Sequence, residues 1–249
     1  MIQLSSVSKT FNAGTPNELA ALLTIDLAIP QGEYVVVIGA NGSGKSTLLN
    51  IIAGNIFADK GSIQIDGTDV TRWKDFERSK FISRIFQNPL SGTAPDLSII
   101  DNFRLAALRS QSKKLSRGID AAFREKVKSK IAFLEMGLEN KLDQAMGLLS
   151  GGQRQALTLM MAVMDETKVF LLDEPTAALD PKSSEIVIEK TRQLVDEYKL
   201  TAMLVTHEMK FAQRYGSRII QMTAGKISKD ISSIEKAKIN TQQIYEWFA

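Results

Sequence analysis

Gly39, Gly44, Lys45 and Ser46 stand at a spacing that could hold a chain of phosphates. They belong to the stretch Gly39-Ala40-Asn41-Gly42-Ser43-Gly44-Lys45-Ser46-Thr47, which fits the pattern G-x-x-x-x-G-K-S. An apolar, mostly β-branched run, Tyr34 to Ile38, precedes it, and a helix-forming segment, Leu48 to Ala53, follows. The pattern requires that strand–loop–helix context. Its glycines let the backbone curl so that successive N–H groups point inward at an anion. A helix starting near Lys45 adds its positive end, about 0.3–1 kcal/mol per anionic group and up to ~2 when partly buried. Lys45 would bring its charge to β- and γ-phosphates, and Ser46 a hydroxyl to Mg²⁺. A purely structural turn needs no Lys-Ser pair at a helix start. The stretch predicts a nucleoside triphosphate site.

Two further stretches carry suitable chemistry. In Val169-Phe170-Leu171-Leu172-Asp173-Glu174, four apolar residues run into two carboxylates. A buried strand ending this way puts both acids at the carboxyl edge of a sheet, where open α/β sheets bind ligands. Asp173 would hold Mg²⁺, directly or through water, together with Ser46. Glu174 would orient and deprotonate an attacking water, a role worth roughly 10²–10⁴ in rate. In Leu149-Ser150-Gly151-Gly152-Gln153, a serine and two glycines precede a helix-forming run from Arg154 to Met164. In isolation this segment could be an ordinary loop and cap. Beside a complete phosphate loop, it reads as a second anion cradle serving another copy of the chain.

These residues need a scaffold, and the remaining pattern supplies one. Ile2 to Val7 and Leu22 to Ile29 alternate apolar and polar residues as half-buried strands do, with a breaker-rich loop, Asn12 to Asn17, between them. Gly61 to Gly67 is a short strand between glycines, and Phe81 to Phe86 another strand that runs into Gln87. Ser98-x-x-Asp101 resembles a capping box opening a helix through Leu108. A basic polar linker, Ser110 to Gly118, follows, and then an amphipathic helical segment from Ile119 to Phe133. Val169 to Leu172 and Thr201 to Val205 read as buried parallel strands. Between them, Asp180 caps a helix with Pro181 at its first position and a body from Ser183 to Tyr198. Arg218 to Met222 is a last strand, Ala224 to Lys226 a turn, and a short helix ends at Trp247-Phe248. Strands alternating with helices imply an α/β fold with a mainly parallel sheet.

Composition narrows the function classes. The chain has 249 residues, a net charge of +3 and a sequence pI of about 9.0, with both signs of charge mixed along it. That balance lacks the clustered basic face of a nucleic-acid binder. With no cysteine and a single histidine, His207, disulfides, thiolate metal sites and multi-histidine sites are excluded. The N-terminus lacks the basic-then-apolar pattern of a signal peptide. No apolar run approaches the roughly 18 residues needed to span a bilayer. A cytoplasmic protein is expected.

Taken together, the loop 39–47, Gln87, Leu149 to Gln153, Leu172-Asp173-Glu174-Pro175-Thr176, Ala178-Leu179-Asp180 and His207 occur in the order found in ATP-binding cassette (ABC) ATPases, and the chain resembles them along its whole length. The resemblance implies an α/β P-loop NTPase core with a mainly parallel sheet, an N-terminal antiparallel β layer and an inserted helical subdomain. The chain is then one domain, 1–249, with a core of 1–88 and 168–249 and an insert of 89–167 carrying the signature segment. It implies a head-to-tail dimer around two ATP and Mg²⁺, each site pairing the loop of one copy with Ser150, Gly151, Gly152 and Gln153 of the other. Phe11 matches the aromatic that stacks on adenine, where the family usually has Tyr; a π-face suffices. Gln87 matches the residue that touches Mg²⁺ and the water, His207 the contact to the γ-phosphate, and Asp180 the loop that crosses the dimer interface. Two departures stand out. Ala156 and Met161 replace the usual basic residues, making the signature helix unusually apolar, and Ala177 stands where Ser is common.

Single-cassette chains of this family usually drive a membrane pump. The expectation is therefore the ATPase subunit of a bacterial transporter, held at the inner face of the membrane by separate permease subunits, with no nucleic-acid partner. Phe11-Asn12-x-Gly14 to Glu18, with Leu149 to Ala162, further resembles importer ATPases that work with an amino-acid-type extracytoplasmic binding protein. The rivals are an iron–sulfur cluster assembly ATPase and an exporter or lipoprotein-release ATPase. A chromosome-maintenance ATPase would need a long coiled coil that the insert lacks.

Overall fold

Alternation in the first strand decides where it sits. In β1 (Ile2–Phe11), Ile2, Leu4 and Val7 are buried, while Gln3, Ser5 and Ser6 face outward. The structure, a computed structural model, describes residues 1–108 and 118–248. β2 (Leu19–Ile29) pairs antiparallel with β1, Ile2 opposite Ile29 and Phe11 opposite Leu19. β3 (Tyr34–Ile38) is buried throughout, as a central parallel strand must be, and leads into α1 (Lys45–Ala53). β4 (Lys60–Ile65), β5 (Thr68–Asp69), α2 (Asp75–Arg78) and β6 (Ile82–Ile85) follow. Next come α3 (Ile99–Ala107), α4 (Ala121–Ala132) and α5 (Gly151–Ala162). The chain then alternates β7 (Val169–Asp173), α6 (Pro181–Tyr198), β8 (Thr201–Val205), α7 (Met209–Arg214) and β9 (Arg218–Thr223). It closes with β10 (Lys226–Ile231), α8 (Ser233–Lys236) and α9 (Thr241–Tyr245).

Two sheets result. One is antiparallel, in the order β2-β1-β4-β5; the other runs β10-β9-β3-β8-β7-β6 and is parallel except for the β9–β10 pair. The side-chain period of two splits the large sheet's strands between two apolar cores. Val35, Val37, Leu171 and Val205 pack with α1 against the antiparallel layer. Tyr34, Val36, Leu172 and Leu204 pack on the opposite face with α3, α5 and α6. The protein is an α/β fold with a small antiparallel layer on one side of a mostly parallel sheet.

Several boundaries differ from the sequence reading, each for a local reason. β1 and β2 run past their alternating stretches, because ladder pairing with register shifts carries them to Phe11 and Leu19. α5 starts at Gly151 rather than Arg154, since Ser150 accepts from the Gln153 N–H and takes both glycines into the first turn. α4 buries only Val127 and Ile131, so its apolar face is narrower than its composition suggested. β10 is an edge strand with polar residues at most positions, so no apolar period announces it. α8, four residues capped by Ser232, was equally silent. Of the basic linker 110–118, all but Gly118 lies outside the described residues.

Candidate active site

The carboxyl end of β3 opens into the glycine loop. A Cβ at Gly44 would lie 2.6 Å from the Ala21 carbonyl oxygen, and one at Gly39 would collide with that of Met222. The loop is thus clamped between β2 and the end of β9, with Gly44 at a φ of 102° that side chains rarely adopt. On its other side Gly42 faces open space. α1 begins at Lys45 with no side chain capping its first N–H groups and no acid in its first turn, which leaves those donors for an anion. The Ser43 hydroxyl is buried and, among the described residues, unpartnered. Lys45 is buried too; its Nζ donates to the carbonyls of Gly39 (2.8 Å) and Ala40 (3.0 Å). Burial pushes its pKa down, against the opposing pull of Glu174 and Asp173.

Strands β7 and β8 end beside this loop. The Ser46 hydroxyl donates to Asp173 Oδ1 at 3.3 Å, joining the start of α1 to the end of β7. Glu174, the next residue, takes a left-handed φ of 46°. Its N–H donates to the Val205 carbonyl at 3.0 Å, which fixes the turn to β8. His207 lies two residues past β8, and its Nδ1 is 3.4 Å from Glu174 Oε2. The imidazole is 56% exposed and the carboxylate only 17%, so the histidine faces the open side. Thr206 donates its N–H to the Val37 carbonyl, and Thr176 Oγ1 donates to Glu208. These bonds hold the three strand ends in one cluster. Gln87 and Asp173 line a common cleft of about 410 Å³ with Phe86, Asn88, Ser91 and Ala178.

The sequence reading missed Arg84 in β6. Its Nη2 donates to Asp173 Oδ2 at 2.7 Å, and its Nη1 to Asn50 Oδ1 (2.6 Å) and Asn55 Oδ1 (2.8 Å). A signal existed: two residues after Ile82 in a strand, Arg84 shares its inward face, so a cation there needs a buried partner.

The remaining expected residues gather elsewhere. Ser150 caps α5 through a capping box with Gln153, at 3.2 Å each way. A Cβ on Gly152 would stand 2.6 Å from Ser183 Oγ, and one on Gly151 3.2 Å from Leu179. Asp180 accepts from the N–H groups of Ser183 and Lys182, and hydrogen bonding from Ser183, hydroxyl first and N–H second, holds its carboxyl below its usual pKa. The starts of α5 and α6 therefore lie side by side. Phe11 ends β1, its ring 5.6 Å from Lys9 Nζ, and pairs with Leu19 two residues before the Ala21 that touches the loop. The structure thus clusters Lys45, Ser46, Gln87, Asp173, Glu174 and His207, and groups Ser150 to Gln153 with Asp180 at the neighbouring starts of α5 and α6.

Residues 22–177, more than half of the chain, match the ABC transporter family model. A tyrosine transport ATP-binding protein of Clostridioides difficile is 40% identical, the match covering all of this chain and 98% of that one. A phosphonates import ATP-binding protein of Lactococcus lactis is 32% identical over 98% of each. Among solved structures, a bacterial ABC transporter cassette determined as a dimer is 30% identical, with a TM-score of 0.80, covering 94% of this chain and 99% of that one. The chain belongs to the ABC transporter family as one of its ATP-binding, ATP-hydrolysing subunits.

Proposed function

Starting from that membership, we propose that the chain powers an importer of amino-acid-type solutes. It would do so as a head-to-tail dimer that closes around two ATP and moves separate permease subunits served by an extracytoplasmic binding protein. The observation that carries this reading is the meeting of Ser46 with Asp173 (3.3 Å) and of Glu174 with His207 (3.4 Å) at the carboxyl ends of β3, β7 and β8. The tyrosine transport relative supports the choice of cargo class. A groove of about 880 Å³ between β6 and the helices, lined by Phe76, Gly92, Leu105 and Met161, supports docking of a permease near Gln87 and the 89–167 insert.

The residues fit ATP and a divalent cation. The loop's open side at Gly42, the uncapped start of α1 and the buried Ser43 hydroxyl suit a triphosphate. Ser46, Asp173 and Gln87 offer only oxygen donors, the set that hard Mg²⁺ prefers. A bound Mg²⁺ supplies positive charge to the β- and γ-phosphate oxygens. In this reading Lys45 leaves its carbonyl partners for the phosphates, and Phe11 stacks on the adenine. Glu174 orients the attacking water and takes its proton, while His207 stands over the γ-phosphate on the exposed side. Ser150, Gly151, Gly152 and Gln153 close the site of the other copy, with Asp180 beside them at the interface. ATP must bind the closed dimer much more tightly than the open chains for this switch to work.

Glu174→Gln tests the assignment. It should bind ATP, lose hydrolysis and elute as a dimer in gel filtration with Mg²⁺-free ATP or MgATP. Elution as a monomer alone, with ATP bound, would refute it.

A further inference from the structure

The chain's conspicuous unassigned residue is Arg84, a cation set against the acid proposed to hold the metal. Its side chain is 12% exposed and that of Asp173 14%, so the pair is largely out of water. The strand register explains the meeting. Arg84 is opposite Leu171 in the β6–β7 ladder, and Asp173 lies two residues on, on the face that Leu171 turns toward α1. Asn50 and Asn55, within and just beyond α1, hold the other guanidinium nitrogen by their side-chain oxygens. The Phe86 ring lies 4.9 Å from the guanidinium carbon. Arg84 Nε is buried without a partner among the described residues, so the side chain is held by its terminal nitrogens alone. Two neutral amides, one carboxylate and one aromatic ring surround its guanidinium.

Asp173 is thereby divided. Oδ2 is taken by Arg84, and Oδ1 faces Ser46 Oγ, the other expected metal ligand. A divalent cation reaching that carboxylate approaches a fixed positive charge a few ångströms away, which opposes its binding electrostatically. Before it arrives, the same charge shields the incoming triphosphate from Asp173.

We propose that Arg84 is a positioning residue that stands in for the divalent cation at Asp173, neutralising the carboxylate until metal binds and weakening the metal's hold once it does. The inference rests on Asp173 being a metal ligand, as read above. Metal entry then exchanges one cation for another, and nucleotide can bind the chain before metal.

The test compares two affinities of the full chain for a non-hydrolysable ATP analogue, one in Mg²⁺ and one in EDTA, measured by calorimetry. Their ratio is the metal's contribution to binding. Arg84→Gln and Arg84→Met should raise the ratio by about tenfold, mainly by weakening binding in EDTA, as expected when a nearby opposite charge is removed. Arg84→Lys, which keeps the charge, should stay near the parent. A merely structural arginine would shift both affinities together and leave the ratio unchanged. An unchanged or lowered ratio in Arg84→Gln and Arg84→Met overturns the proposal. Asp173→Asn separates the premises. If it lowers the ratio while the Arg84 variants do nothing, only the role of Arg84 falls. If it leaves the ratio at the parent value, the metal-ligand reading falls as well.

Discussion

Two helix starts in this chain look alike as sequence and differ as structures. Both α1 and α5 start where a glycine stands next to a serine: Ser43-Gly44 ahead of α1, Ser150-Gly151 at α5. At α1 the capping position is Gly44, in a left-handed conformation and with no side chain on the first N–H groups. At α5 Ser150 and Gln153 satisfy each other's backbone N–H groups. The first end is an open cradle that needs a ligand to complete its bonding. The second is complete by itself, and an anion there must displace a capping bond. An open end suits primary binding, and a self-capped end suits a contact made only when a partner brings the phosphate.

The strongest challenge to that contrast is the chemistry at the open end. Glu174→Gln should cut steady-state ATP hydrolysis, followed by phosphate release, by roughly 10²–10⁴. A variant hydrolysing at the parent rate would move the chemistry away from this cluster. Next is Lys45→Ala, which removes a charge-assisted contact of about 3 kcal/mol and should weaken ATP binding by about 10²-fold in calorimetry. If the isolated chain bound ATP as before, the cradle would not be the primary site.

The closed end predicts smaller, structural effects. Gly152→Ala places a methyl against Ser183 Oγ and should cost about 1–3 kcal/mol in urea unfolding, less about 1 kcal/mol of helix propensity. Adding Ser183→Gly should restore most of the loss; no recovery would mean that the α5–α6 contact is not what excludes a side chain. Ser150→Ala loses a cap worth about 1 kcal/mol, lowering the melting temperature by about 2–4 °C. ATP affinity of the separate chain should not change. If it fell as far as in Lys45→Ala, the two ends would not differ in kind.

What could be read from the residues follows from how local each signal is. The loop 39–47, the two acids at the end of β7 and the Asp180-Pro181 helix start are written in consecutive residues, and all three stand where their pattern put them. The strand lengths were less legible, because Lys9 to Phe11 hold their place through pairing with Leu19 to Leu22 rather than through their own alternation. β10 was invisible because an edge strand with one covered face has few apolar positions to fill. Arg84 could be seen only weakly, since its meaning comes from Asp173, 89 residues away, and from two asparagines around the end of α1. The capping box of α5 was visible as Ser150-x-x-Gln153, yet two intervening glycines disguised a first helical turn as a loop.

Glu174 sits at a backbone angle that favours glycine or asparagine, and holding a branched-free but bulky side chain there costs about 1 kcal/mol or more. The carboxylate is therefore kept at the most contorted point of the β7–α6 connection, where a smaller residue would rest more comfortably. Selection for robustness alone would relax that corner. A sturdier, inert descendant lies one substitution away, and a hunt for heat-tolerant variants that ignored turnover would be drawn straight to it.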